Sequence, residues 1–131
     1  MATQTPLVTG VDFVYVPTKD FDAAVEFYGT VLGLPLSARY GKMPGAEFET
    51  GNLTLAVIES EAFRLDFQAN NHPIALHVDD VEAARAELES RGVEFGGDTL
   101  DSGVCHMAFF NDPDGNALML HHRYAPRPPA P

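Results

Sequence analysis

At 131 residues the chain has the length of one domain, and its 45% hydrophobic and 21% charged residues are ordinary globular values. A net charge of −11 argues against a nucleic-acid partner, because such binding needs Lys and Arg to replace phosphate counterions. The field would attract cationic ligands, although solubility alone also accounts for an acidic surface. The single Cys105 leaves no internal disulfide and fits a reducing, cytoplasmic setting. The N-terminal Met1 to Pro6 has no basic region followed by an apolar run, and no stretch nears the roughly 18 apolar residues of a membrane span. Neither a leader nor a membrane partner is expected.

Val11 to Pro17 reads as a strand, rich in β-branched and aromatic residues and closed by Pro. Asp20 is a good N-cap for the helix that follows, in which Phe21, Ala24, Val25, Tyr28, Val31 and Leu32 recur at helical spacing up to a stop at Gly33. Strands at about Leu36–Tyr40, Ala46–Thr50 and Leu53–Glu59 are divided by Gly41, Gly45 and the Gly51-Asn52 pair. After a linker at 60–72 the order returns. Pro73–Val78 is a strand, Asp80 caps a helix with Val81, Ala84 and Leu88 on its apolar stripe, and Gly92 ends it. Strands follow at about Glu94–Gly96, Val104–Phe110 and Ala117–Arg123, the last entered through the turn Asp112-Pro113-Asp114-Gly115. The Pro-rich 125–131 reads as a mobile tail.

The recurrence is visible in the residues. Ile74 to Ala84 lies sixty positions after Val14 to Ala24, and Gly51-Asn52-Leu53-Thr54-Leu55 is echoed sixty-four positions on by Gly115-Asn116-Ala117-Leu118-Met119. Each copy is βαβββ, so the fold class is α+β. Two tandem modules, about 8–59 and 73–124 of one domain, are expected to form a cleft or half-barrel of mixed sheet with the helices on the outer face. A module covers one face of its sheet with its helix and leaves the other bare, and bare faces brought together make a ligand cleft.

Three stretches resemble the vicinal oxygen chelate superfamily, which includes glyoxalase I, extradiol dioxygenases, fosfomycin-resistance transferases and bleomycin-resistance proteins. They are Asp20-Phe21 to Phe27-Tyr28 through Leu32-Gly33-Leu34, Ile74 to Asp80, and Phe110 to Asn116. In its metal-using members the resemblance implies four His, Gln or Glu ligands, one from the first and one from the last strand of each module. Carried over with the repeat, these positions are Phe13, Leu55, Pro73 and Met119. Phe, Leu and Pro have no donor atom, and a thioether is a soft ligand. A slip of one residue would offer His72, Thr54 or Ala56, and Leu118 or Leu120, which restores no set. No metal and no other cofactor is expected.

Side chains two apart on a strand share a face. Counted from those four positions, Phe13 and Tyr15, Leu55 and Val57, His77, and Met119 and His121 line the cleft as candidate ligand-binding residues. No residue is assigned as catalytic. For His77 and His121 three readings stay open: a displaced metal pair, an acid–base pair, or hydrogen bonding without chemistry. His106 lies on a strand whose facing the sequence leaves undecided.

Two functions are weighed, with a vestigial interaction module behind both. The first is metal-independent binding or sequestration of a small aromatic or amphipathic organic molecule, cationic if the acidic balance matters, in a homodimer that resembles the bleomycin-resistance branch. Glu47, Glu49, Glu59 and Asp66 are then candidate anionic contacts. The alternative is a glyoxalase-like lyase or isomerase, or a dioxygenase, either metal-dependent or using His77 and His121 as acid–base groups.

Overall fold

Asp20 and Asp80, sixty positions apart, perform the same task in the computed structural model, which describes residues 5–129. Each side chain accepts a hydrogen bond from the backbone N–H three residues on, Ala23 at 3.2 Å and Ala83 at 3.0 Å, satisfying a donor that the first helical turn leaves free. Parts of the N-terminal segment read for a leader and of the Pro-rich tail lie outside the described residues.

The first module runs β1 (Val14–Thr18), α1 (Phe21–Glu26), β2 (Leu36–Arg39), β3 (Gly45–Glu49) and β4 (Thr54–Glu59). The second runs β5 (Ile74–His77), α2 (Val81–Ser90), β6 (Phe95–Asp101), β7 (Cys105–Asn111) and β8 (Ala117–Arg123). Each module makes its own open four-stranded sheet, ordered β1-β4-β3-β2 and β5-β8-β7-β6. In both, the first and last strands pair in parallel and the other pairs are antiparallel. Neither sheet closes into a barrel. No helix among the described residues is long and apolar enough to cross a membrane.

Three boundaries differ from the sequence reading by more than one residue. β1 starts at Val14 rather than Val11, because its partner β4 begins at Thr54 and pairing starts with Val14 opposite Leu55. The first helix is α-helical only to Glu26 and widens into a π-turn over Phe27–Val31 before Gly33, at φ +73°, ends it. β6 runs on to Asp101 through an irregularity between Gly96 and Leu100, where a bulge interrupts the pairing with β7.

The buried apolar side chains of both modules merge into one cluster, with Val16, Tyr28, Phe48, Leu55 and Val57 from the first and Val81, Leu88, Phe110, Leu118 and Leu120 from the second. A buried polar network fastens the modules beside it. The Tyr28 hydroxyl donates to Asp112 Oδ2 at 2.7 Å, and the Asn116 amide donates to the same oxygen at 2.7 Å and to the Pro17 carbonyl at 2.8 Å. Asp112 Oδ1 accepts from the backbone N–H of Asp114 and of Asn116, both at 2.9 Å. Thr18 Oγ1 donates to Asp114 Oδ2 at 2.5 Å. Each Asp112 carboxylate oxygen thus receives two donors, and a buried network satisfied in this way specifies one geometry.

Burial, first, and the Asp112 carboxylate hold the Tyr28 phenol protonated well above its ordinary value of 10.0. A raised folded-state value contributes stability that is whole below that pH and is lost as pH rises beyond it. Tyr28→Phe is expected to cost about 1–3 kcal/mol in denaturant unfolding at neutral pH. The variant's stability should also fall less steeply than the parent's above pH 10.0.

Candidate functional site

The pairing of first and last strands decides which residues reach the uncovered faces. Val14 lies opposite Leu55 and Tyr15 opposite Ala56, while Ile74 lies opposite Leu118 and Ala75 opposite Met119. Equivalent positions are thus sixty apart in the first strands but sixty-three apart in the last strands. The Gly-Asn echo at sixty-four belongs to the turns, and the strand beyond them has slipped by one residue. A slip of one moves every side chain to the other face.

Leu55 and Val57 are accordingly corrected. Both are 0% exposed and pack in the helix-side cluster with Val16 and Phe48. Their place on the uncovered face is taken by Thr54, Ala56 and Ile58. Phe13 and Tyr15 do stand on that side, 39% and 51% exposed, with ring centroids 5.0 Å apart in an edge arrangement.

The same register brings Glu47 opposite Ala56 and Glu49 opposite Thr54, so two of the four candidate carboxylates share the face with Tyr15. Glu47 accepts from the Tyr40 hydroxyl at 2.5 Å. Glu49 accepts from Ser37 Oγ at 2.5 Å and Thr54 Oγ1 at 2.6 Å, and these donors hold its carboxyl below the ordinary 4.5. The pattern Ala46-Glu47-Phe48-Glu49 carried this signal in the sequence, since Ala46 and Phe48 are the buried pair.

On the second sheet Met119 and His121 lie on the uncovered face with Pro73 and Ala75, and antiparallel pairing adds Phe109 opposite Met119 and Met107 opposite His121. His77 pairs with His121 along the backbone, but its ring stands 5.8 Å from that of His122, and its Nε2 is 3.3 Å from Asp79. His122 is itself tied to the Val78 carbonyl at 3.1 Å. His106 falls on the helix side, opposite His122 and 3.5 Å from Asp101. Apart from Val57, which is buried in the core, the predicted residues therefore divide three ways. Phe13 and Tyr15 are on one sheet face and Met119 and His121 on the other. Leu55 and His77 meet at a cavity of about 370 Å³ between the modules.

With the register corrected, the positions that the resemblance implies for metal ligands are Phe13, Ala56, Pro73 and Met119. Three have no donor atom and the fourth is a soft thioether, so the set does not fit a hard divalent cation. Among the described residues no three His, Cys, Asp or Glu side chains converge elsewhere.

A family model described as the Glyoxalase/Bleomycin resistance protein/Dioxygenase superfamily matches residues 10–120. The chain belongs to this superfamily. It is 27% identical over 115 residues to the uncharacterized protein YraH of Bacillus subtilis (strain 168), covering 79% of this chain and 90% of that one. Among solved superfamily structures, it is similar to a glyoxalase/bleomycin resistance protein/dioxygenase from Nocardioides, at 23% identity and a TM-score of 0.74 over 95% of this chain and 93% of the other. An antibiotic-binding protein from Streptomyces sp. CB03234 is similar at 25% identity and a TM-score of 0.76, over 91% and 99% of the two chains.

The facing of the two sheets is open to a direct comparison. Leu55→Ala is expected to cost about 2–5 kcal/mol in chemical denaturation, as a core cavity does. Met119→Ala, on an uncovered face, should cost no more than about 1 kcal/mol.

Proposed function

We propose that this superfamily member binds and sequesters a small aromatic or amphipathic organic molecule, cationic in charge, without a metal ion. It does so on the uncovered sheet faces, which a second copy of the chain closes in a cytoplasmic homodimer. The observation that carries the reading is the strand register, which puts Ala56 opposite Tyr15 and Met119 opposite Ala75, so that the positions the resemblance implies for metal ligands, Phe13, Ala56, Pro73 and Met119, offer no hard donor. Apolar walls with a few polar groups are what a small-molecule site needs.

The first sheet supplies both halves of cation recognition. Phe13 and Tyr15 offer aromatic faces, each worth about 0.5–2 kcal/mol to a cation over the ring, and Glu47 and Glu49 supply negative charge. The second sheet supplies the soft, adaptable Met107 and Met119 beside Phe109. Exposure of this much apolar surface gives dimerisation a physical motive. The similarity to a protein described as antibiotic-binding agrees with this reading.

The test uses ethidium, a planar aromatic cation whose emission rises in an apolar site. Titration at neutral pH should show saturable binding, weakened about 3–30-fold by Tyr15→Ala and by Glu49→Gln. Because the Glu49 carboxyl is held below 4.5, binding should persist down to that pH and decline only under it, as protonation removes the charge. Unchanged affinity in both variants would refute the proposed face.

A further inference from the structure

The repeat creates two equivalent junctions between the modules, and they are filled differently. At one, the β7–β8 turn meets the end of β1 and the start of the first helix, and Tyr28, Thr18, Asp112 and Asn116 close it with the buried network. At the other, the β3–β4 turn faces the end of β5 and α2. Sixty positions after Tyr28 stands Leu88, and sixty after Thr18 stands Val78, so neither hydroxyl recurs. Thr50 in the facing turn spends its hydroxyl locally, on Asn52 and the Leu53 carbonyl. What remains is the cavity of about 370 Å³, walled by Leu34, Leu53, Leu55, Val78, Ala84 and Leu88.

The cavity runs along a strand edge. β5 is the outermost strand of its sheet, and the Val78 N–H donates to the His121 carbonyl at 3.1 Å. In a parallel pair, alternate residues turn both backbone groups toward the neighbour. Val78, Leu76 and Ile74 therefore serve β8, and the N–H and C=O groups of Ala75 and His77 point away from the sheet. Both residues line the cavity. At the far rim Arg91 is already engaged by Glu87 at 3.0 Å and by the Val31 carbonyl at 2.7 Å, so its charge is matched.

We infer that this inter-module cavity is a second binding site, for a small neutral molecule that joins a branched apolar group to an amide. The amide pairs with the free backbone groups of Ala75 and His77 as an added strand would, and the apolar group fills the space beside Leu55 and Leu88. The volume lies at the small end of ligand pockets, about 300–1,000 Å³, which suits a molecule of that size and not a protein segment. This site stands independently of the sheet faces and of their cationic ligand.

The probe is N-acetyl-leucine N-methylamide, titrated into the full chain and followed by the backbone amide and methyl resonances. Saturable shifts are expected at the Ala75 and His77 amides and at the Leu55 and Leu88 methyls. Filling the cavity with Ala84→Phe should weaken binding at least about tenfold, with Ala84→Ser as the folded control. Replacing both probe amides by tertiary amides, which cannot donate, should weaken binding to the unaltered protein by a similar factor, whatever the fate of the Phe variant. Saturating ethidium should leave the titration unchanged, which separates this site from the sheet faces. No saturable shift at Ala75 and His77, equal binding of the tertiary-amide analogue, or displacement by ethidium would overturn the inference.

Discussion

A strand can show only alternate residues to either face, so the pairing of β1 with β4 and of β5 with β8 governs the rest of the molecule. With Val14 opposite Leu55, the side chains of Val16, Leu55 and Val57 turn to the helix and build the core. Phe13, Tyr15 and Ala56 are thereby sent to the uncovered face. The second sheet keeps the same parity, with Leu118 and Leu120 inward and Met119 and His121 outward. Core and candidate site are two readings of one register, and neither could shift without the other.

The two junctions between modules show how a duplicated unit can diverge in use. Where Tyr28 reaches Asp112, a buried network fixes the relative placement of the halves. Where Leu88 replaces the tyrosine, the same geometry leaves a hollow beside a free strand edge. A hydroxyl lost at one position removes the reason for a buried carboxylate opposite it: Thr50, whose N–H bonds the Leu53 carbonyl as that of Asp112 bonds the Asn116 carbonyl, carries no charge into this junction. Glu49, one residue earlier, faces Thr54 on the sheet and accepts from Ser37 and Thr54.

Much of the fold was legible in the residues. The twin caps at Asp20 and Asp80, the glycine stops and the order of strands follow from local preferences that tertiary packing reinforces. The register was not legible, for two reasons. Leu55 to Ile58 is an unbroken apolar run, so it lacks the alternation that would mark its faces. The turn echo at Gly51-Asn52 gave a spacing valid for the turn alone. His77 failed differently, because a side chain at the end of an edge strand is free to lean around it, and it turns toward His122 and Asp79. Glu47 and Glu49 could have been placed, since their alternation with Ala46 and Phe48 sets them opposite the buried pair.

The proposal that this site grips organic surface rather than a metal ion rests on the register and on the chemistry of Phe13, Ala56, Pro73 and Met119. Elemental analysis of the chain, freshly purified without chelator, reaches that claim most directly. The expected result is nickel, zinc, manganese and iron all far below stoichiometry, with ligand affinity unmoved when any of them is added. About one equivalent of such a metal per chain, retained through purification and released together with ligand affinity on chelation, would contradict it.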